Sequence, residues 1–341
     1  MQNSKARGRM KSQQNISGAA GRQMQPLNSA HRIAEVLNLK LKRELKKNGA
    51  LFVMAAPVTV LLILFNYLPM FGAILAFKDF NVRDGIFGSP WSGFKNFEFL
   101  FKTSDAWLIT RNTLAYNFVI IILSTVLAVL LAVLLDGLRS KFASRAFQTM
   151  LIMPYFLSWI AVGFIGFAIL SPDKGIANAI LKYFGKDPVL WYSQVNAWPF
   201  ILIFSAIWKS VGYSSVMYLA TITGISKDYY EAAAMDGASR WKQVVNITLP
   251  FLKPMIIILT LLSIGKIFYA DFGMFYHLPR QSGQLLPVTN VIDTYVYYGL
   301  KVNGNIGMSA AANFYQSIVG FLLVLGANLT VRKIDPEYSL F

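Results

Sequence analysis

EAAAMDGASRWKQVVNITLP runs from Glu231 to Pro250, a polar, small-residue stretch between two long apolar segments. Its meaning depends on what surrounds it. The 341-residue chain is 55% apolar and 14% charged, with a mean hydropathy of +0.48. Soluble domains carry about 25% charged residues, and a soluble fold could not hide this much apolar surface. The composition indicates a polytopic membrane protein. A net charge of +16 would suit nucleic acid, but eleven of the 32 Lys and Arg crowd into the first 50 residues and most others lie in short loops. Basic flanks of membrane spans mark the cytoplasmic side instead. Cysteine is absent, which excludes disulfides, thiolate metal sites and a Cys nucleophile. The first apolar run begins at Leu51, too deep and too long for a cleavable signal peptide.

Six apolar segments approach the roughly 20 residues a helical span needs: Leu51–Phe77, Asn112–Leu135, Phe147–Leu170, Ala197–Thr221, Leu252–Phe272 and Ala310–Val331. The expected fold is all-α with six transmembrane helices. Residues 1–50 form a basic tail, 51–111 the first span and an outer loop, 112–331 a core of five spans holding the 223–251 loop, and 332–341 a second tail. Residues 1–28 are polar and low in complexity, which predicts disorder. In Ser29–Lys47, Ile33, Leu37, Leu41 and Leu45 recur every four residues among basic ones, the pattern of an amphipathic helix on the inner membrane surface or of a solvated leader. With both termini inside, twenty Lys and Arg fall on the cytoplasmic side and ten outside, the bias expected of that orientation. Trp91, Trp107, Trp191, Tyr192 and Trp198 sit at outer edges, where they form an interfacial belt or meet a soluble partner.

Under this topology Glu231–Pro250 faces the cytoplasm. Asp228 can cap a helix whose third residue is Glu231. Ala232, Ala233 and Ala234 favour helix and leave a smooth side for another surface. Gly237 can supply the positive φ that ends this helix. Ser239 can cap a second, through Trp241, Val244, Val245 and Ile247, which Pro250 stops. A helix–turn–helix elbow results, either a docking surface or an ordinary loop.

Glu231-Ala232-Ala233, Gly237 and Ile247-Thr248-Leu249-Pro250 follow the spacing of the EAA loop. The chain resembles the permease subunits of binding-protein-dependent ABC importers over roughly residues 110–331. Arg111-Asn112-Thr113-Leu114 is similar to the start of that permease domain. Within the family the chain looks like the maltose-type sugar branch, and more narrowly like permeases for pectin or alginate fragments. The wide first loop and the ending Asp335-Pro336-Glu337-Tyr338-Ser339-Leu340-Phe341 carry that narrower likeness. The resemblance implies the type I ABC importer permease fold in a bacterial inner membrane. It implies that Glu231, Ala232, Ala233 and Gly237 form a coupling helix docking on a separate ATPase, with Asp236 and Arg240 on the same elbow. No G-x-x-x-x-G-K-[ST] occurs, so ATP and magnesium belong to that partner and no enzyme activity is expected here. A second permease chain and an external solute-binding protein complete the expected assembly.

Lys209, Lys266 and Asp271 fall inside predicted spans. A charge at mid-bilayer costs at least about 2.5–3.5 kcal/mol, so such residues face protein or a water-filled path. They either lock helices together or line a substrate route. Trp208, Lys209 and Tyr213 share the fourth span, Lys266 and Tyr269 one face of the fifth, and Asn313 and Gln316 add amides on the sixth. Two lysines would suit a carboxylate-bearing sugar such as a uronate oligomer. The rival is an ion-coupled secondary transporter, which commonly shows repeat halves with broken helices. With only His31 and His277 present, a metal cluster is not expected. The sequence does not name the sugar, its length or its linkage.

Overall fold

The computed structural model describes Arg43 and residues 46–302, 304–334 and 336–338. The low-complexity leader and almost all of its amphipathic pattern lie outside the described residues. The described chain is helical apart from turns and one isolated bridge between Lys78 and Trp91. Five helices are long and apolar enough to cross a membrane: Gly49–Phe77, Asp105–Asp136, Val195–Thr223, Arg240–Ile264 and Ile306–Lys333. A sixth crossing would need two helices bent by 99° to act as one, Lys141–Phe156 and Trp159–Leu170. The expected continuous third span is therefore broken. Ser158, extended at ψ 151°, starts a new helix by accepting the Ala161 N–H on its side chain.

The chain falls into two units, residues 1–71 and 72–341. The first contains α1 (Gly49–Leu62), none of whose side chains is buried. A helix apolar all round with no buried stripe is dressed for lipid. A π turn over Ile63–Tyr67 follows, just before Pro69. Proline lacks the N–H for the ordinary helical bond and its ring crowds the carbonyl four residues back; the wider turn makes room.

The second unit is built around α2 (Ser104–Asp136) and α6 (Trp198–Thr223). Ala128 and Ala132, one turn apart and wholly buried, sit with Val211, Tyr218, Leu219 and Leu252 in one apolar cluster. Small side chains at the contact let helices approach closely. Across α6 runs α3 (Lys141–Ile152), followed by a 3₁₀ turn over Met153–Phe156 and then α4 (Trp159–Leu170). A Cβ on Gly212 would lie 1.8 Å from the Leu151 carbonyl oxygen, so this crossing is backbone against backbone. A loop carrying α5 (Ile176–Tyr183) links α4 to α6. The elbow then supplies α7 (Lys227–Met235) and leads into α8 (Arg240–Ile264). Past α8 come α9 (Phe272–His277), α10 (Ile292–Lys301) and α11 (Ile306–Ile334).

The fifth span was expected to run to Phe272, but α8 ends at Ile264 and the backbone of 265–271 is unwound. Irregular backbone at membrane depth must have its polar groups met by protein, and here they are. Asn117 Nδ2 donates to the Ile267 and Tyr269 carbonyls at 2.7 and 3.1 Å. Gln316 Nε2 donates to the Phe268 carbonyl at 2.7 Å. The Ala270 N–H donates to Asp293 Oδ2 at 2.8 Å. The Arg111–Leu114 motif acts as a second staple. Asn112 Nδ2 donates to the Pro287 and Asn290 carbonyls, and Thr113 Oγ1 accepts the Ile292 N–H at 3.1 Å. These bonds fix the 286–292 loop against α2.

Candidate functional site

Two places carry the candidate chemistry: the elbow and the broken end of the fifth span. At the elbow, α7 is capped by Ser226, whose hydroxyl accepts the Asp228 N–H at 3.3 Å. Asp228 was the expected cap; it lies two residues further in, within the first turn, where its charge still suits a helix N-terminus. Gly237 has φ +77°, as the turn required, and Ser239 Oγ accepts the Lys242 N–H at 3.4 Å to cap α8. Pro250 does not stop that helix. A π turn over Val244–Thr248 widens the backbone just before it, and α8 runs on to Ile264, 25 residues in all. Tyr230 and Thr248 share a 3.0 Å hydroxyl bond, and Gln243 Nε2 reaches the Ala238 carbonyl. These contacts hold the two arms at a fixed angle.

Glu231, Ala232, Asp236, Gly237 and Arg240 are exposed, and Ala233 is half-buried. Beside them Met235 is 85% and Trp241 72% exposed. Neither was singled out from the sequence as part of the elbow's outer surface. Arg240 also lines a groove of about 360 Å³ with Asp136, Arg139, Tyr230 and Gln243, which joins the elbow to the end of α2.

At the broken end, Lys209 of α6 and Asp271 line one cavity of about 200 Å³ with Asn117, Tyr155, Trp159 and Ser210. Lys209 Nζ donates to the Tyr155 carbonyl at 2.7 Å and lies 5.4 and 5.5 Å from the Tyr155 and Trp159 ring centroids. Asp271 Oδ2 accepts the Trp159 indole N–H at 2.6 Å, and Oδ1 accepts the Met274 N–H as the cap of α9. The carboxylate is thus spent on N–H donors, and no Lys209–Asp271 ion pair forms within 4 Å. Tyr213 stacks on Tyr155 at 4.5 Å and so supports this wall without lining the cavity itself.

The other predicted path residues scatter. Trp208 turns into a separate apolar groove of about 550 Å³ with Phe200, Phe204, Ile165 and Ile169. Lys266 and Tyr269 do not share a helical face, because the helix has ended. Lys266 is exposed on the unwound segment, and Tyr269 meets Ser317 at 2.8 Å. Asn313 is exposed. Gln316 is fully buried and spends its amide N–H groups on Phe268 and Asp293, so it braces the break and does not face a path. Tyr155, Trp159 and Asn117 were missed. Their signal was weak, since only the break brings them to Lys209.

These features, an all-helical core, a capped elbow and a polar cavity at a broken span, define a membrane transport subunit. The family of binding-protein-dependent transport system inner membrane components matches residues 124–271. A polygalacturonan/rhamnogalacturonan transport system permease protein of Bacillus subtilis (strain 168) is 33% identical over 84% of this chain and 89% of its own length. A trehalose/maltose transport system permease protein of Thermococcus litoralis is 28% identical over 87% of this chain and 97% of its own. A crystal structure of a bacterial ABC transporter involved in the import of the acidic polysaccharide alginate matches with a TM-score of 0.79 and 31% identity, over 87% of this chain and 99% of that one. The chain belongs to the family of binding-protein-dependent transport system inner membrane components. Its fold is that of a type I ABC importer permease, and it is a multi-pass membrane protein.

Proposed function

We propose that the chain is the permease subunit of an ATP-driven importer that takes up acidic, uronate-bearing oligosaccharides. Relatives that carry pectin-type polymers and alginate support the substrate class. The observation that carries it is Lys209: an ammonium group held by one carbonyl and two aromatic faces, with no carboxylate within ion-pair distance. Such a cation faces protein or a water-filled path, and with the Asp271 carboxylate in the same wall spent on N–H donors it stays open to a substrate carboxylate. Rings beside it suit sugar faces, in a pocket with a few placed polar groups.

In this reading both termini are cytoplasmic and the elbow is the coupling device. Glu231, Ala232, Ala233, Asp236, Gly237 and Arg240 seat on a separate ATPase that binds ATP and magnesium, with exposed Met235 and Trp241 as apolar anchors. A second permease chain completes the path, and a solute-binding protein delivers the sugar from outside. The test is uptake of tri-galacturonate by proteoliposomes holding the complete assembly. Lys209→Met lowers uptake about tenfold or more, the scale of one lost charge-assisted contact. Lys266→Met, outside the cavity, leaves it within about twofold. Unchanged uptake in Lys209→Met refutes the acidic-substrate reading.

A further inference from the structure

We infer that the chain carries a second sugar-acid subsite at its outer rim, built from Tyr276, His277 and Arg280 beside Tyr297 and Lys301. It receives a single uronate ring before that ring reaches Lys209. This inference rests on the acidic-oligosaccharide reading and deepens it. Four observations carry it.

The first is a cavity of about 240 Å³ between α4 and the end of α9, lined by Ile160, Phe164, Tyr276, His277, Arg280 and Gln281 with no Asp or Glu in its wall. Sites for drug-sized ligands hold roughly 300–1,000 Å³, so this one suits one ring, not a chain. Gly163 shapes its floor: a Cβ there would fall 2.9 Å from the His277 carbonyl oxygen.

The second is Arg280. Its guanidinium lies 4.0 Å from the centroid of the Phe167 ring, and among the described residues it forms no side-chain hydrogen bond or ion pair. A guanidinium stacked on a ring keeps its edge N–H groups free, in the fork that fits a carboxylate bidentately.

The third is the backbone. Arg280 and Gln281 are consecutive non-glycine residues at φ +51° and +55°. Neither is Asn or Asp, the side chains that tolerate this region best. Conformations of this kind gather where a structure must aim a side chain at a ligand, and here the turn aims Arg280.

The fourth is an aromatic wall continuous with the cavity. Tyr276 stacks on Phe272 at 5.0 Å and meets Tyr297 at 5.1 Å, and Lys301 Nζ donates to the Tyr297 hydroxyl at 2.8 Å. That bond and the lysine charge hold the Tyr297 phenol below its ordinary pKa. Ring faces flanked by a lysine and an arginine offer a sugar acid both of its needs. The wall also leads somewhere. Asp271 and Trp159, which line the Lys209 cavity, open the two helices whose next turns carry Tyr276 and Gly163.

The test compares tri-galacturonate import by the complete reconstituted assembly carrying wild-type chain, Arg280→Gln, Lys301→Gln or Arg280→Lys. KM rises about tenfold in Arg280→Gln and severalfold in Lys301→Gln with kcat little changed, and Arg280→Lys recovers only a small part of the loss, because an ammonium restores the charge but not the stacked, two-pronged fork. An unchanged KM overturns the subsite. So does an equal rise for the methyl ester of the same trimer, which assigns Arg280 to holding the turn. Weaker association of the sugar-free binding protein makes the rim a protein-docking surface and overturns it as well. If the wild-type assembly imports no acidic trimer, the substrate reading falls first and takes the subsite with it.

Discussion

At Gly237 the backbone needs φ +77°, and a Cβ there costs about 1–2 kcal/mol. Nothing lies within 4 Å of the Cβ position, so the cost is conformational and not steric. Gly237→Ala should leave the assembly folded yet lower sugar-stimulated ATP hydrolysis severalfold; full stimulation would show that the elbow's angle does not matter. Asp293 makes a second case. Burial, above all, holds its carboxyl above the usual carboxylate range, while the Ala270 N–H and Gln316 amide pull the other way. Between the unfolded value of about 3.9 and the raised folded value, the native state holds more protons than the unfolded one. Stability therefore falls as pH rises through that window. Asparagine keeps an acceptor for Ala270 and Gln316 but cannot ionise. Asp293→Asn should melt above the wild type near neutral pH, the gap closing toward pH 4; a lower melting temperature at neutral pH would contradict this. Gly237 was legible in the sequence because positive φ has a compositional marker. The cap was not, because Asp228 has Glu231 three residues on, the capping-box spacing, whereas Ser226, which does cap the helix, has Tyr229 there.

Among the elements, the crossing of α3 over α6 admits the least change. A Cβ on Gly212 would overlap the Leu151 carbonyl, and that atom belongs to a helix end that also sets Tyr155 beside Lys209. Gly212→Val should push the crossing apart and cost at least about 1–3 kcal/mol of overpacking, read as a lower melting temperature together with lost uptake; normal uptake would show that the crossing tolerates separation. The break near Ser158 could not be read from an apolar run, because hydropathy continues across it; that in 265–271 is marked by Lys266 and Asp271, which also suit charges set inside an unbroken span. Pro154, Ser158, Gly265 and Asp271 were the local hints. The deciding partners, Asn117, Asp293 and Gln316, lie far away in sequence. By contrast, the elbow's turn at Gly237 and its second cap at Ser239 were legible, since both are local, while the first cap fell on Ser226 and the helix ran on through Pro250.

For the molecule as a whole, patterning fixed the number of apolar crossings to within the one bent pair, and charge asymmetry suggested their orientation. It had Lys209 facing protein or a water-filled path, and Lys209 lines a polar cavity; it put Lys266 and Tyr269 on one helical face, which the end of α8 at Ile264 removes; and it could not see that Trp208 and Gln316, on unbroken helices, turn toward other neighbours. The 25 residues of α8 span about 37 Å at 1.5 Å each, against roughly 30 Å of hydrocarbon. One end is the elbow and the other is the clamp made by Asn117, Gln316 and Asp293. The π turn and Pro254 lie within this helix without severing it. Under the coupling proposed above it would serve as a pushrod: a displacement of the elbow would reach the clamp as displacement, with no break in the helix in which to dissipate.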